Sequence, residues 1–225
     1  MQAQRGLWTF RAAKRKFTAM VRQFPNSSQR TAARPASATL ARQKSPALCD
    51  VRCENDHGRT SVVFVRKFRA PRREVWALLT SPERLRMWAP HASDHELSQV
   101  GRVTFTLLGD DVDGHADVPD FELPGVVLTV DAPDLLEHSW GRDVLLWSLE
   151  DVTDSTRLTL RHTLADASMA SAVAAGWHLC FEVADSVLAD RPIAPMRGPG
   201  AMRYGWEPLN RRCAKTLGVQ PTRLG

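Results

Sequence analysis

The residues able to do acid–base or metal chemistry are seven histidines and twenty-five carboxylates. His91 and His95 stand four apart, with Glu96 after them. On a helix, two such imidazoles share a face and can hold a metal. Pro90 and the strand-type residues that follow argue against a helix there. The glutamate that a zinc-hydrolase helix places between its histidines is also absent. The pair is read as exposed or hydrogen-bonded. Asp110, Asp111 and Asp113 with Gly114 resemble the start of a calcium loop. The alternation of acids fails, and no glutamate closes a twelve-residue loop. Residues 110–122, with six acids and His115, are read as a solvated acidic loop that could rim a cavity mouth. His162 and His178 could meet between a sheet and a helix, and either could act as a base. Neither stands beside a nucleophile in a recognisable motif, and no glycine pattern for a dinucleotide or phosphate is present. No cofactor and no metal site is expected, and catalysis is not the leading expectation.

The other chemistry on offer is desolvation. Seven tryptophans and eight phenylalanines are many large rings for 225 residues. Rings of this size dominate cores and ligand pockets alike. The elements that must position them follow from periodicity. Ser168 to Leu188 carries Val173, Trp177, Phe181, Ala184 and Leu188 on one helical face. Asp166 or Ser168 can cap it, and Arg191-Pro192 closes it. Ahead of it lie short strand-like stretches at Ser61–Phe68, Glu96–Val100, Val103–Leu108, Val126–Asp131, Leu135–Ser139, Leu145–Glu150 and Arg157–Thr163. Short turns between most of them imply antiparallel hairpins. Two short helices are expected after the first strand. Pro71 starts one, while Ser81-Pro82 caps and starts the other. Trp206, Leu209, Cys213 and Leu217 space as a last amphipathic helix that Gly218 stops. Arg191 to Tyr204 is read as an exposed loop.

Charge divides the chain. Residues 1–50 hold ten lysines and arginines and one acid, a net +9, and the remainder is net −4. The expected organisation is a basic, low-complexity, disordered extension over 1–50 and one folded domain over 51–225. The extension is read as motif-free sequence without a role. A targeting segment and a membrane- or anion-binding tail are the alternatives. The body does not have the charge of a nucleic-acid binder. No apolar run reaches membrane-spanning length. A cytoplasmic protein is expected, with organelle import by the basic segment as the alternative in a eukaryotic host. Cys49, Cys53, Cys180 and Cys213 are too scattered for a disulfide framework or a zinc site, and Cys180 reads as a buried thiol.

Arg66 to Pro90, RKFRAPRREVWALLTSPERLRMWAP, resembles the opening of proteins similar to the C-terminal domain of the activator of Hsp90 ATPase. These belong to the START and birch-pollen-allergen-like superfamily. Phe68, Ala70, Pro71, Val75, Trp76, Thr80, Pro82, Glu83, Leu85 and Trp88 fit that opening. Gly176-Trp177 with Cys180 and Phe181 resembles the family's late helix. Trp206, Leu209, Ala214 and Leu217-Gly218 resemble its closing segment. Cys213 stands where the family often has tyrosine. The resemblance implies an α+β helix-grip fold, with a curved antiparallel sheet of about six to seven strands around a long C-terminal helix. It also implies a cavity between them. Gly176 would let the helix approach the sheet or a ligand closely.

The expected pocket lining is Trp88, Phe105, Trp140, Trp147, His162, Trp177 and Phe181, and plain core packing is the alternative. The leading functional expectation is binding of a hydrophobic small molecule. A chaperone regulator of the Hsp90 type or other protein-interaction module, with a protein partner or homodimer, is the second. A cyclase or dehydratase acting on an aromatic substrate with Arg161, His162 or His178 is the third.

Overall fold

A computed structural model describes residues 50–109 and 121–223. The basic segment up to residue 49, with Cys49, and the acidic loop over 110–120 lie outside the described residues. The fold is α+β and of the helix-grip type. Eight antiparallel strands form one sheet in the order β1-β2-β8-β7-β6-β5-β4-β3. β1 (Asp50–Asp56) and β2 (Arg59–Phe68) make a hairpin at one edge. Two short helices, α1 (Arg72–Thr80) and α2 (Pro82–Trp88), then carry the chain to the opposite edge. From there β3 (His91–Ser93), β4 (Gly101–Leu107), β5 (Phe121–Asp131), β6 (Leu135–Trp140), β7 (Asp143–Val152) and β8 (Ser155–Leu164) meander back until β8 pairs with β2. From β5 to β8 the connections are two or three residues long, as suits neighbouring antiparallel strands, which need only a tight turn.

β1 is absent from the expected strands. Only Val51 in it is buried, so it has little hydrophobic alternation to announce it. Its signal is the turn. His57 and Gly58 both have positive φ, +46° and +76°, and they link Asp56 to its partner Arg59. Two positive φ values are the mark of a type I′ hairpin. The two short helices therefore follow the second strand. The stretch Glu96–Val100, expected as a strand, is irregular. The edge strand is His91–Ser93, three residues facing Phe105 to Leu107.

The capping chemistry largely follows expectation. Ser81 Oγ accepts from Arg84 N, and Pro82 takes the first turn of α2. Pro71 sits one residue ahead of α1 as its N-cap. Asp166 accepts from Ser168 N to start a 3-10 turn that feeds α3 (Ala170–Leu188). α4 (Trp206–Leu217) ends at Gly218, whose φ of +68° suits a residue without a side chain. The connecting segment includes a 3-10 turn over Gly198–Tyr204.

α3 is buried on more than its ladder. Trp177, Phe181 and Ala184 are buried, while Val173 and Leu188 are half-buried. Ala174, Ala175, Leu179, Cys180 and Val183 are buried too. The helix packs on α2 and β2 and also on α4, which accounts for the wide burial. Glu182 pairs with Arg66 of β2 at 2.9 Å. Gly176 does not have the close-approach role expected of it, because a Cβ there would meet nothing within 4 Å.

Candidate functional site

The site is built around Trp177 on α3. Its ring lies 5.3 Å from Trp147 on β7, 6.2 Å from His162 on β8, 6.4 Å from Trp140 on β6 and 6.3 Å from His91 on β3. β3 and β8 are five places apart in the sheet, yet both reach one indole. Strands stand roughly 4.8 Å apart, so the sheet must curl around the helix to allow this. Trp88 of α2 closes the group from the side, 6.0 Å from Trp177 and 6.2 Å from Trp147. Phe181 stacks near Trp88 and Trp177 and meets Phe64 edge-on at 5.8 Å.

Three of the four indole N–H groups here have acceptors. Trp88 donates to Leu78 O at 3.0 Å, Trp147 to His138 Nε2 at 3.2 Å and Trp177 to His162 Nδ1 at 2.9 Å. An indole N–H can only donate, which fixes both histidine tautomers. His162 carries its proton on Nε2 and donates it to Asp143 Oδ2 at 2.9 Å. Asp143 Oδ1 in turn accepts from Ala165 N at 2.8 Å. His138 carries its proton on Nδ1 and donates to Ser139 O at 3.3 Å. Burial pushes the His138 pKa down to about 4, with His162 adding to the effect. Both imidazoles have used their lone pairs on tryptophan, so neither offers a base to a substrate.

A second cluster lies toward the β3 edge. His91 is 4.9 Å from Trp140 and 5.0 Å from Phe105, ring to ring, and His138 is 4.9 Å from Phe105. Phe105 lies over Gly125 of the next strand. A Cβ at Gly125 would stand 2.6 Å from the Phe105 ring and 2.8 Å from Ser139 O. Here polar atoms go unmatched. His91 Nδ1, Ser93 Oγ and Trp140 Nε1 are buried without a hydrogen-bond partner. Burial holds the His91 pKa well below the usual histidine range, and repulsion from His138 and His162, whenever those rings are protonated, and from Arg197 acts the same way. Arg197 reaches in from the segment before α4 and donates to Arg86 O at 2.8 Å and Ala89 O at 2.7 Å. That anchors the segment over the end of α2, next to His91.

The structure thus brings all seven expected lining residues into one interior, with Trp140 the least buried. Residue reasoning missed Phe64, Phe68, Ser93, His138 and Asp143. The parity of Leu136, His138 and Trp140 on β6 was the available signal for His138. The expected reading of His91 and His95 as one pair is corrected. His91 is buried with an unmatched nitrogen, whereas His95 is exposed beside Asp94 at 2.8 Å. His178 lies near Arg66 and Arg212, and burial with those charges pushes its pKa down to about 4. Arg161 points outward and pairs with Glu54. Among the described residues, no group of three or more His, Cys, Asp or Glu is placed to hold a metal ion. None of their helices is long and apolar enough to cross a membrane.

A family model described as activator of Hsp90 ATPase homolog 1-like protein matches residues 69–189, more than half of the chain. The chain belongs to this family. The match takes in α1, α2, the meander and α3, and with them every ring of the two clusters except Phe64 and Phe68. Among solved structures, EF2215 of Enterococcus faecalis, a conserved protein of unknown function, matches with a TM-score of 0.56 at 14% identity, over 74% of this chain and 90% of that one. The protein encoded by gene BPP1335 of Bordetella parapertussis matches with 0.55 at 20% identity, over 80% and 96%. The solution structure of CalU16 from Micromonospora echinospora matches with 0.54 at 18% identity, over 74% and 90%. At these identities the likeness is one of fold. No curated protein matches the sequence.

Proposed function

We propose that this family member is a non-catalytic, cytoplasmic binding module whose partner is another protein, a chaperone ATPase of the Hsp90 type. One observation carries the reading. The rings expected to line a ligand cavity pack on each other instead, with Trp88 and Trp177 each touching Trp147, Phe181 and one another at 5.3 to 6.2 Å. Apolar side chains meanwhile stand in solvent on the outer face of the sheet. Val127 of β5 is buried, and its neighbours Val126 and Leu128 are exposed. Exposed Val100 immediately precedes Gly101, which pairs with Val127. Contiguous exposed apolar groups are a usual mark of a protein-binding surface. The domain over 51–225 is the acting part, and the basic extension has no role in this contact.

The test is titration of the full chain into the Hsp90-type chaperone of its own host, by calorimetry and by the chaperone's ATPase rate. Binding with a changed rate is expected, and a Val126→Asp/Leu128→Lys variant that keeps its circular dichroism should lose both. A chaperone that neither binds nor changes its rate would overturn the reading. A small-molecule role keeps one specific support, the unmatched polar atoms beside β3.

A further inference from the structure

We infer that β1 is a docking edge for a second copy of this chain, which pairs antiparallel through its own β1 about a twofold axis at Cys53. The inference does not depend on the chaperone contact proposed above, because β5 lies away from β1 in the sheet. It starts from the two ends of that sheet, β1 and β3. The β3 end is covered, since His91, Ala92 and Ser93 are all buried and α2 packs on them. β1 has Asp50, Arg52, Asn55 and Asp56 exposed. Asp56 and Arg59 flank a two-residue turn, and the pair that closes such a hairpin exchanges both of its backbone hydrogen bonds. Alternation then turns the backbone groups of Asp50, Arg52, Glu54 and Asp56 toward β2. Those of Val51, Cys53 and Asn55 point the other way, and no backbone group among the described residues meets them. An open row of this kind is a template for another strand.

The side chains choose the occupant and its register. The open groups meet only when Val51, Cys53 and Asn55 face the same three residues of the partner strand. With the axis at Cys53, Arg52 stands opposite the partner's Glu54, and Glu54 opposite the partner's Arg52. Opposite charges directly across a pair of strands stabilise it, and like charges do the reverse. Moving the axis by one residue sets Arg52 against the partner's Arg52, or Glu54 against the partner's Glu54. The register at Cys53 brings like charges together only at its frayed ends, where Asp50 meets the partner's Asp56. Charges on an edge usually guard it against pairing, but here the central ones form a self-complementary set. Arg52 already pairs with Glu54 of its own chain at 2.9 Å, so exchanging partners adds little energy and fixes the register. About six main-chain hydrogen bonds supply the attraction.

The test is sedimentation equilibrium of the full chain over a range of concentrations. A reversible dimer with a Kd on the order of 10 µM is expected, as suits a small interface. Cys53→Pro removes one outward N–H and no bond to β2, so it should keep its circular dichroism and weaken the dimer at least about ten-fold. Arg52→Glu should weaken it about five-fold, and Arg52→Glu combined with Glu54→Arg should restore most of that loss by reversing both signs. In a Cys49→Ser background, diamide should join Cys53 to the partner's Cys53, taking two electrons and two protons from the two thiols. The paired strands place their Cα atoms about 5.5 Å apart, within reach of a disulfide. A chain that stays monomeric at roughly twenty times the expected Kd would overturn the inference. So would a dimer that Cys53→Pro leaves as tight as before, or a charge reversal that restores nothing.

Discussion

The two ends of the interior are built from the same residue types, tryptophan, phenylalanine and histidine, and they differ in how their polar atoms are met. Around Trp177, the N–H groups of Trp88, Trp147 and Trp177 each have an acceptor. Around His91, three polar atoms have none. A buried polar group without a partner costs about 1–3 kcal/mol. The first end therefore holds the helix to the sheet, while the second stores a cost that a bound group could remove. Aromatic richness alone does not separate core from site. The hydrogen-bond account of each ring does.

The largest effect should come from breaking the first end. Trp177→Ala removes the ring that joins α3 to β3, β6, β7 and β8, and it leaves His162 Nδ1 unmet. A loss of about 3–5 kcal/mol is expected from urea unfolding. If the loss is below 1 kcal/mol, Trp177 is not the anchor described.

Acid should then separate the ends. A free histidine titrates near 6.5. The folded values of His138 and His178 are pushed down to about 4, and that of His91 lies well below normal. The unfolded chain therefore binds more protons in this window, so stability rises with pH. Their contribution is complete above about pH 6.5 and is lost as pH falls toward 4. His138 alone accounts for about 3 kcal/mol of that loss. His91 borders Trp140 and His138 accepts from Trp147, so the Trp140 and Trp147 indole protons should exchange with solvent at a higher pH than that of Trp88, which donates to a backbone carbonyl. A flat urea midpoint between pH 7 and 4.5 would contradict the buried, neutral state of these rings.

Gly125→Ala should act on the β3 end alone. Its Cβ would press on the Phe105 ring and on Ser139 O, at a cost of about 1–3 kcal/mol. The Trp88 and Trp147 indole signals should stay in place, and their movement would show that the two ends are coupled. The smallest change should be a gain. Ser93→Ala, which removes an unmatched hydroxyl, should leave stability unchanged or raise it by up to about 1 kcal/mol. A clear loss in the absence of any ligand would show that Ser93 already has a partner in solution.

Much of this architecture was legible, because period-two and period-3.6 patterns report burial directly. β4 is an example, where Val103 and Phe105 alternate with Thr104 and Thr106. β1 and β3 were not legible. β1 buries Val51 alone, and β3 is too short for a pattern. The ladder on α3 showed Trp177 and Phe181, but its wide burial depends on α4 arriving from far along the chain. The rings of the interior could be named, since large apolar rings at core-facing positions are enough for that. The clasp of Asp143, His162 and Trp177 could not, for it joins two strands and a helix through single atoms. Nor could the orphan status of His91, because an unmet partner is a property of three-dimensional surroundings and leaves no mark on spacing.

The pairing of β2 with β8 bears on how the chain is made. Thr60 faces Leu164 and Phe68 faces Thr156, so β2 leaves the ribosome long before its inner neighbour exists. At roughly 5–20 residues per second, the delay is on the order of 5–20 s. During that interval β2 has only the thin, polar β1 beside it, and Val62, Phe64 and Phe68 have no helix to cover them. Non-local closure of this kind slows folding and lengthens the exposure of sticky surface. Synthesis rate and early holding of the nascent chain should therefore govern the yield of this protein more than the stability of its finished fold.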